Sequence, residues 1–337
     1  MSNKRNKYID IVKGISIIAI VLLHYEDGFF PTNVNVFIGM FMITAFYFTS
    51  GWLKGQSKNK ISVKDLIRKR IPTLVKPYLW FSLILFIFDA ILILLGFKEP
   101  ILLLTDLYKT IVFRGIGTLW FLPALFGGEI IFVYLRDKNL NIKLIALSFS
   151  LLYSITYWYY SNLLVSSGDL FKIIEAPLRT LENILSAWII IASGYYINIW
   201  LGKTLINLSK IKKTIVIIGL TSLSFFLIAN LYLANFSSVI VTLILHIITP
   251  IIILLIAILT EHMSFNRFFI FWGKNSLILM VTHYTILMEV SIILNSYLTG
   301  FNYFGGMNAM YFFVGTMLFE YLIVFIINSK AKFLIGK

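Results

Sequence analysis

The stretch KYIDIVKGISIIAIVLLHY, residues 7 to 25, decides the fold. It is mostly apolar, and its length is close to the roughly 20 residues that an α-helix needs to cross a hydrocarbon core of about 30 Å. Asp10, Lys13 and His24 nevertheless lie within it. A charged side chain near the centre of a bilayer costs about 2.5–3.5 kcal/mol, and such residues usually face a bundle interior or a water-filled cavity. The stretch therefore predicts a membrane helix with a functional face.

The rest of the chain repeats the apolar pattern. Of its 337 residues, 59% are hydrophobic and 13% are charged, whereas a soluble domain is about half apolar and a quarter charged. The apolar residues form runs too long and unbroken for barrel strands. The sequence predicts an all-α integral membrane bundle of about ten transmembrane helices, with residues 1–337 in a single domain and no separate soluble domain. The runs are at about 8–27, 34–53, 76–96, 118–135, 143–161, 178–200, 213–233, 237–260, 275–296 and 309–328.

The first run is predicted to stay in the protein as helix 1. It follows basic residues, as the core of a signal peptide does, but it exceeds a typical signal core and lacks a small-x-small cleavage site. The chain has no Cys, which excludes disulfides, thiolate catalysis and Cys-based metal sites.

The net charge of +14 is explained by topology. With the N-terminus inside and ten alternating helices, 23 Lys and Arg residues fall in inside segments and 5 fall outside. This bias is what the positive-inside rule expects. We therefore predict that both termini are cytoplasmic, that the protein lies in the cell (plasma or inner) membrane, and that nucleic acid is not a partner.

Three polar residues share one face of the first predicted helix. Lys13 and His24 are eleven residues apart, close to three turns, and Asp10 lies one turn before Lys13. At 1.5 Å per residue, His24 is about 16 Å further across the membrane than Lys13. The face thus carries a cation near the cytoplasm and a proton-transfer group far from it. In the alternative, Lys13 snorkels to lipid headgroups, Asp10 pairs with it, and His24 caps a helix bend.

Several motifs resemble those of the membrane-bound acyltransferase 3 family. Lys13-x10-His24 resembles its basic-x10-His signature, with Lys where Arg is commoner. Four further motifs follow in the family's order: FYFTSGWLKG (46–55), IRKRIPTLVKPY (67–78), GTLWFLPALF (117–126) and GKNSLILMVTHY (273–284). The final segment, Glu320 followed by INSKAKFLIGK, is most similar to the fucose 4-O-acetylase-type subgroup of sugar O-acetyltransferases. The resemblance covers the whole chain.

The resemblance implies transfer of an acyl group, usually acetyl from cytoplasmic acetyl-CoA, to a sugar hydroxyl at or across the membrane. No permanently bound cofactor is implied. Acyl transfer to a hydroxyl needs a base, stabilisation of the developing oxyanion, and exclusion of water. We predict His24 as the base, because imidazole titrates near neutral pH, and Lys13 as the group that fixes the donor or the oxyanion. Asp10 is predicted to orient Lys13, and His283, in the predicted helix 275–296, to assist.

The other two histidines are given no catalytic role. His246 lies four residues before Pro250, which frees a backbone carbonyl near it, so packing accounts for it. His262 falls in a predicted cytoplasmic loop. Two intramembrane histidines without a carboxylate at ligand spacing are not a metal signature, and no metal site is predicted.

The donor is predicted to bind at a basic strip where the third helix begins. CoA is polyanionic, and Arg68, Arg70 and Lys76, together with Lys69, lie in this strip. Arg is well shaped for phosphate, and Lys serves as a point charge. Ordinary positive-inside residues are the alternative explanation for each of them.

The resemblance implies a carbohydrate acceptor, either a glycan or a lipid-linked sugar, and four residues are candidates to contact it. Trp120 is a candidate stacking platform or a residue of the interfacial belt. Glu129, midway along the fourth helix, is a candidate to line the cavity. Arg179 and Glu182 are one turn apart, so they either pair with each other or contact an anionic acceptor such as a sugar pyrophosphate. Membrane lipids are the remaining expected partners.

Three other functions are alternatives to acyl transfer to a sugar. A transporter or flippase for a glycan precursor would show internal repeats, and no repeat of half-chain length is apparent. A succinyl donor would need an extra cation, which Arg179 supplies. A purely structural scaffold leaves the intramembrane polar residues without a purpose.

Overall fold

The computed structural model describes residues 6–25, 30–138, 169–230, 237–284 and 307–337, together with the single residues 143, 150 and 154. These described residues contain thirteen α-helices and no β-strand. The helices are α1 (Lys7–Tyr25), α2 (Thr32–Met42), α3 (Thr44–Gln56), α4 (Val63–Arg70), α5 (Lys76–Leu94), α6 (Ile101–Ile111), α7 (Phe121–Asp137), α8 (Asp169–Asn207), α9 (Lys210–Asn230), α10 (Ser237–Thr260), α11 (Asn266–Lys274), α12 (Ser276–Thr282) and α13 (Met307–Lys330). A π-helical turn, Ile71–Val75, joins α4 to α5, and 3₁₀ turns lie at Gly117–Trp120 and Lys332–Ile335.

Eight helical segments of the described residues are long and apolar enough to cross a membrane. Each overlaps one of the ten predicted runs, so eight of those runs are confirmed as helices, and the protein is a multi-pass membrane protein. The count of ten and the cytoplasmic termini stay predictions. The eight segments are Lys7–Tyr25, Thr32–Gln56, Val63–Leu94, Gly117–Asp137, Glu175–Asn207, Lys210–Asn230, Ile240–Thr260 and Met310–Lys330.

Three parts of the predicted pattern differ from the structure or lie outside it. The predicted helix 275–296 is confirmed as helix from Ser276 to Thr282, but α12 ends there and a turn follows at residues 283–284; the remainder of the predicted helix lies outside the described residues. The predicted helix 143–161 also lies almost wholly outside them. Residues 97–117, predicted to be a loop, contain the eleven-residue helix α6.

The packing divides the chain into two compact units, each built from three separate stretches. Unit 1 comprises Met1–Lys60, Ile190–Leu279 and Phe304–Phe313, and unit 2 comprises Ile61–Ile189, Met280–Tyr303 and Val314–Lys337. The sequence predicted one transmembrane domain over residues 1–337 and no separate soluble domain. That remains a prediction.

In unit 1, α1 lies against α11 at backbone contact. A Cβ atom at Gly14 would lie 1.9 Å from the carbonyl oxygen of Phe269, and a Cβ atom at Gly273 would lie 1.8 Å from the carbonyl oxygen of Asp10. Each glycine thus admits the backbone of the other helix, as small residues do where membrane helices approach closely. This reciprocal contact fixes the helix that carries Lys13 and His24.

A second reciprocal pair joins α3 to α8 in the same unit. A Cβ atom at Gly51 would lie 1.9 Å from the carbonyl oxygen of Ile191, and one at Gly194 would lie 2.1 Å from that of Phe48. Gly51 is the first of the two glycines in the FYFTSGWLKG motif, so its place in the motif has a packing explanation.

In unit 2, the continuous helical segment Val63–Leu94 is accompanied by α6 and α7. Tyr78 donates to the carbonyl of Thr110 at 2.8 Å, and Arg136 donates to the carbonyl of Ile61 at 2.5 Å. Thr110 contacts Tyr78, and the later residue Arg136 contacts the earlier residue Ile61. The chain through α6 and α7 therefore runs antiparallel to the segment Val63–Leu94, called the long helix below. The irregular residues 112–116 between them lie opposite Tyr78.

The C-terminal turn of the chain packs on the same part of unit 2. A Cβ atom at Gly336, whose φ is +69°, would lie 1.7 Å from the carbonyl oxygen of Pro72. The ring of Phe333 meets Trp80 edge to face at 5.5 Å between centroids. The C-terminus therefore braces the π-helical turn that follows Arg70.

Candidate active site

Helix α1 is unbroken from Lys7 to Tyr25. The spacing of Lys13 and His24 therefore holds as predicted, at about 16 Å along one face. Both side chains are half-buried, whereas Ile17 and Ile20, which lie between them on this face, are 0% and 2% exposed. The face is thus polar at its two ends and closed by apolar packing in its middle.

The start of α1 is tied to the end of α3 by a polar network. The hydroxyl of Tyr8 accepts a hydrogen bond from Gln56 at 2.6 Å and a longer one, 3.5 Å, from the indole of Trp52. Asn6 donates to the side-chain oxygen of Gln56 at 2.7 Å. Asp10, two residues after Tyr8 on α1, is 4% exposed. Sequence reasoning missed this network, which holds the Lys13 end of α1 in place.

Arg70 and Glu129 form a bidentate ion pair in unit 2. The Nε and Nη2 atoms of Arg70 each lie 2.6 Å from one carboxylate oxygen of Glu129. Glu129 is 0% exposed, and 27% of the Arg70 side chain is exposed. The sequence assigned these residues to different ligands, Arg70 to the donor and Glu129 to the acceptor, and the structure brings them together.

The other residues of the basic strip are exposed. Arg68 ends α4 together with Lys69 and Arg70, and Lys76 begins α5 after the π-helical turn. Arg68, Lys69 and Lys76 are all exposed. Pro72 lies inside the intervening turn, and turns of this kind occur frequently at functional sites. The strip therefore offers cations to a polyanion on either side of a helix irregularity.

His283 lies in a turn rather than within a helix. It directly follows α12 and is 1% exposed. The hydroxyl of the preceding residue, Thr282, lies 2.8 Å from both carboxyl oxygens of Glu320, which is 0% exposed. Thr118, in the 3₁₀ turn that precedes α7, donates to the carbonyl of Met280 at 2.5 Å. No role was predicted for Glu320 from the sequence. In the structure it contacts Thr282, the residue directly before His283.

Trp120 stands at the junction of the 3₁₀ turn and α7. Its ring is half-buried and meets Phe121 edge to face at 6.5 Å. The preceding segment is irregular, and Phe113 in it has a φ of 59°. Such a conformation is costly for a bulky residue and clusters at functional sites. Trp120 therefore follows a helix break beside the long helix Val63–Leu94.

Arg179 and Glu182 pair with each other, which is the first of the two alternatives drawn from the sequence. Their side chains are 3.2 Å apart, and a second carboxylate, that of Glu175, lies 4.0 Å from Arg179. Two carboxylates thus compensate the charge of Arg179.

Asp89 and Asp106 form a buried acidic pair near the end of α5. Each is 2% exposed, and Lys98 lies 2.5 Å from Asp89. Burial, reinforced by the charge of Asp89 and a hydrogen bond to it, raises the pKa of Asp106 to about 7. Asp106 thus binds a proton near neutral pH.

Within the described residues, no group of three or more His, Asp or Glu side chains is arranged to hold a metal ion.

The helices and their buried ionisable residues define a multi-pass membrane protein with polar chemistry inside its helical units. A family model described as an acyltransferase domain, of the acyltransferase 3 type, matches residues 6–328. The chain therefore belongs to the acyltransferase 3 family and is an acyltransferase. No curated protein and no solved structure matches the chain. The resemblance to the fucose 4-O-acetylase-type subgroup stays a prediction.

Proposed function

We propose that the protein transfers an acetyl group from cytoplasmic acetyl-CoA to a hydroxyl of a cell-surface glycan or of its lipid-linked precursor, in the cell membrane. Family membership supports acyl transfer. The observation that carries the finer proposal is α1, an unbroken helix with Lys13 and His24 half-buried on one face. A cation and an imidazole on the same face suit a donor that is held at the Lys13 end and whose thioester carbonyl reaches the acceptor hydroxyl at the His24 end.

In this proposal His24 removes the proton of the acceptor hydroxyl as the hydroxyl oxygen attacks the thioester carbonyl. The C–O ester bond forms, the C–S bond breaks, and CoA leaves as a thiol that takes up the proton held by His24. Neutral imidazole is suited to that step. Lys13, about 16 Å from His24 along α1, fixes the donor at a distance from the reacting carbonyl, and Asp10 orients Lys13. Ile17 and Ile20 keep water from the face between the two polar groups. His283 assists, held beside the Thr282–Glu320 contact.

The donor is proposed to bind through its phosphates to Arg68 and Lys76, with Arg70 contributing while it pairs with Glu129. Charge-assisted contacts of this kind are stronger than neutral ones. No resident cofactor is proposed; acetyl-CoA is a substrate that binds and leaves.

The acceptor is proposed to contact Trp120 by stacking, with Arg179 and Glu182 as polar contacts while they stay paired with each other. Glu129 is proposed to serve the acceptor site indirectly, through its ion pair with Arg70, and not by a contact of its own. An aromatic ring beside a helix break suits a sugar, because aromatic rings offer an apolar face with polar edges around it.

Comparative mass spectrometry of surface glycans tests the proposal. Cells with the wild-type protein, with His24→Ala and with no protein are compared, and the expected result is acetylation in the first only. Equal acylation with wild type and His24→Ala would remove His24 from the mechanism. Export of unmodified glycan that depends on the protein would instead identify a flippase, and a succinyl mass increment would identify a different donor.

A further inference from the structure

The π-helical turn Ile71–Val75 lies between two exposed cations of the basic strip, Arg68 and Lys76. The amide of Lys76 donates to the carbonyl of Ile71, so this turn contains one residue more than an α-helical turn. In an unbroken α-helix, side chains eight residues apart lie about 80° apart around the axis. The extra residue reduces the effective spacing to seven, which is close to two full turns and leaves Arg68 and Lys76 within about 20° of each other. The π-helical turn therefore places both cations on one face of the long helix.

The two cations are also separated along the helix axis. Seven α-helical steps of about 1.5 Å place them about 10 Å apart in this direction. CoA carries phosphate at two positions, because a pyrophosphate joins its pantetheine arm to the nucleoside and a further phosphate lies on the 3′-oxygen of the ribose. Arg binds phosphate through paired hydrogen bonds, and Lys binds it as a point charge. Two cations spaced along one face thus suit a donor with two phosphate positions.

The π-helical turn is in contact with the C-terminal turn, residues 332–336, which belongs to the same unit. A Cβ atom at Gly336 would lie 1.7 Å from the carbonyl oxygen of Pro72 and 3.3 Å from the amide nitrogen of Thr73. Pro72 lies four residues after Arg68 and four residues before Lys76. Gly336 therefore contacts the π-helical turn midway between the two cations.

The helix is open at the carbonyl of Pro72, where Gly336 packs. The amide of Lys76, which would be the α-helical partner of this carbonyl, donates to Ile71 instead. The π-helical partner would be residue 77, and Pro77 has no amide hydrogen. The left-handed φ of +69° at Gly336 and the lack of a side chain together allow the two backbones to meet.

Two apolar side chains anchor the C-terminal turn. The ring of Phe333 meets that of Trp80 edge to face at 5.5 Å between centroids, and Ile335 is 4% exposed. Trp80 lies one helical turn after Lys76. The C-terminal turn is thus fixed both to the π-helical turn and to the helix beyond it, so a shift of the C-terminal turn changes the relation between the two helical parts.

We infer that the C-terminal turn is a positioning element of the donor site. By holding the π-helical turn, it keeps Arg68 and Lys76 on one face, where they bind the pyrophosphate and the 3′-phosphate of the CoA donor. This inference rests on the proposed function, because it concerns the donor site named there. It adds that the 3′-phosphate is recognised, and that Gly336 controls this recognition through the helix without touching the donor.

The test is equilibrium binding of CoA, and of dephospho-CoA, which lacks the 3′-phosphate, to the purified full-length protein in detergent. The wild type should bind CoA about ten-fold more tightly, which corresponds to one charge-assisted contact. Gly336→Ala should remove most of this preference, because its Cβ would overlap the carbonyl of Pro72. Phe333→Ala, which removes the ring contact with Trp80, replaces Gly336→Ala if that variant does not fold.

Gly96→Ala is the matched control. Gly96 also has a left-handed backbone, with a φ of +81°, but nothing lies within 4 Å of its Cβ position. The variant thus carries a similar backbone cost without a collision and should keep the preference for CoA. A change that only destabilises the protein lowers the fraction that can bind and leaves the two dissociation constants unchanged.

Four results would overturn the inference. They are equal affinity of the wild type for the two ligands, an unchanged preference in Gly336→Ala, an equal loss of preference in Gly96→Ala, and a loss of affinity in Gly336→Ala by the same factor for both ligands. The last two would show a general disturbance and not the misplacement of one phosphate contact.

Arg68→Ala combined with Lys76→Ala separates this inference from the proposed function. If the double variant loses the preference for CoA while Gly336→Ala keeps it, the donor site stands and the C-terminal turn has no part in it. If the double variant binds CoA as the wild type does, the donor site of the proposed function falls, and this inference falls with it.

Discussion

Arg70 and Glu129 meet through two parallel hydrogen bonds of 2.6 Å, across 59 residues of sequence. The pair joins α4, at the entrance to the π-helical turn, to the middle of α7. Removing one member of a buried pair strands the other charge, whereas replacing both by apolar residues is often tolerated. The pair therefore explains why two ionisable residues are retained within apolar surroundings.

We predict that Glu129→Leu and Arg70→Met each destabilise the protein, by about 3 kcal/mol, the low end for a buried pair, because part of Arg70 is exposed. The double variant should be more stable than the less stable of the two single variants, and its loss of stability relative to the wild type should be at most half as large. Thermal unfolding in detergent, followed by tryptophan fluorescence, measures all three. Additive losses in the double variant would show that the two residues do not act as a pair.

The exposed cations of the basic strip should behave differently. We predict that Arg68→Ala combined with Lys76→Ala raises the KM for acetyl-CoA while leaving the unfolding temperature nearly unchanged, because surface charges contribute little to stability. Arg70→Met, in contrast, should lower the unfolding temperature, because it breaks the ion pair with Glu129. An unchanged KM in the Arg68 and Lys76 double variant would move the donor site elsewhere.

Close packing of α1 makes Gly14 intolerant of a side chain. Gly14→Ala would place Cβ 1.9 Å from a backbone oxygen, so one helix must shift, at a cost of about 1–3 kcal/mol for overpacking. Gly219→Ala is the matched control, because nothing lies within 4 Å of its Cβ position and Ala is the better helix former. We expect a lower melting temperature for the first variant and an equal or higher one for the second; the reverse order would contradict the α1–α11 contact.

Thr282 is predicted to act as a positioning residue for His283. Thr282→Val leaves the carboxyl of Glu320 buried without this hydrogen bond and should lower kcat about ten-fold, with little change in the KM for acetyl-CoA. Thr282→Ser keeps the hydroxyl and should restore most of the rate.

Thr249→Val controls for the loss of a buried threonine. Thr249 is also fully buried, but its hydroxyl donates to Leu245 within its own helix. If Thr249→Val and Thr282→Val lower kcat equally, or if Thr282→Ser does not recover activity, the Thr282–Glu320 contact has no special role.

Much of the fold could be predicted because hydrocarbon imposes a length and a composition on each crossing. The apolar runs correctly predicted eight helices of the described residues. The eleven-residue spacing of Lys13 and His24 predicted that the two side chains share one face of α1. These are local properties of one helix. α6 was missed because its eleven residues are too few for a span, and Lys109 and Arg114 made its surroundings look like an outside loop.

The partners of the polar residues could not be predicted, because pairing depends on which helices are neighbours. Nothing in the sequence brings Arg70 to Glu129, or Thr282 to Glu320, and helix register decides both. The one polar pair found from sequence, Arg179 with Glu182, is separated by a single turn. The end of α12 before His283 also escaped, because the apolar run continues through it without Gly or Pro.

The acidic pair of unit 2 predicts a pH dependence of stability. The pKa of Asp106 is raised from 3.8 to about 7, by burial and then by Asp89, so the folded protein holds a proton that the unfolded chain releases. Stability should therefore fall as pH rises from about 4 to about 7, by up to about 1.4 kcal/mol per pH unit, and level off above. Asp106→Asn mimics the protonated form and should remove this slope, whereas Glu99→Gln, at an exposed residue nearby, should keep it. Melting temperatures in detergent between pH 5 and 8 measure the effect, and a slope that survives in Asp106→Asn would assign it to another group.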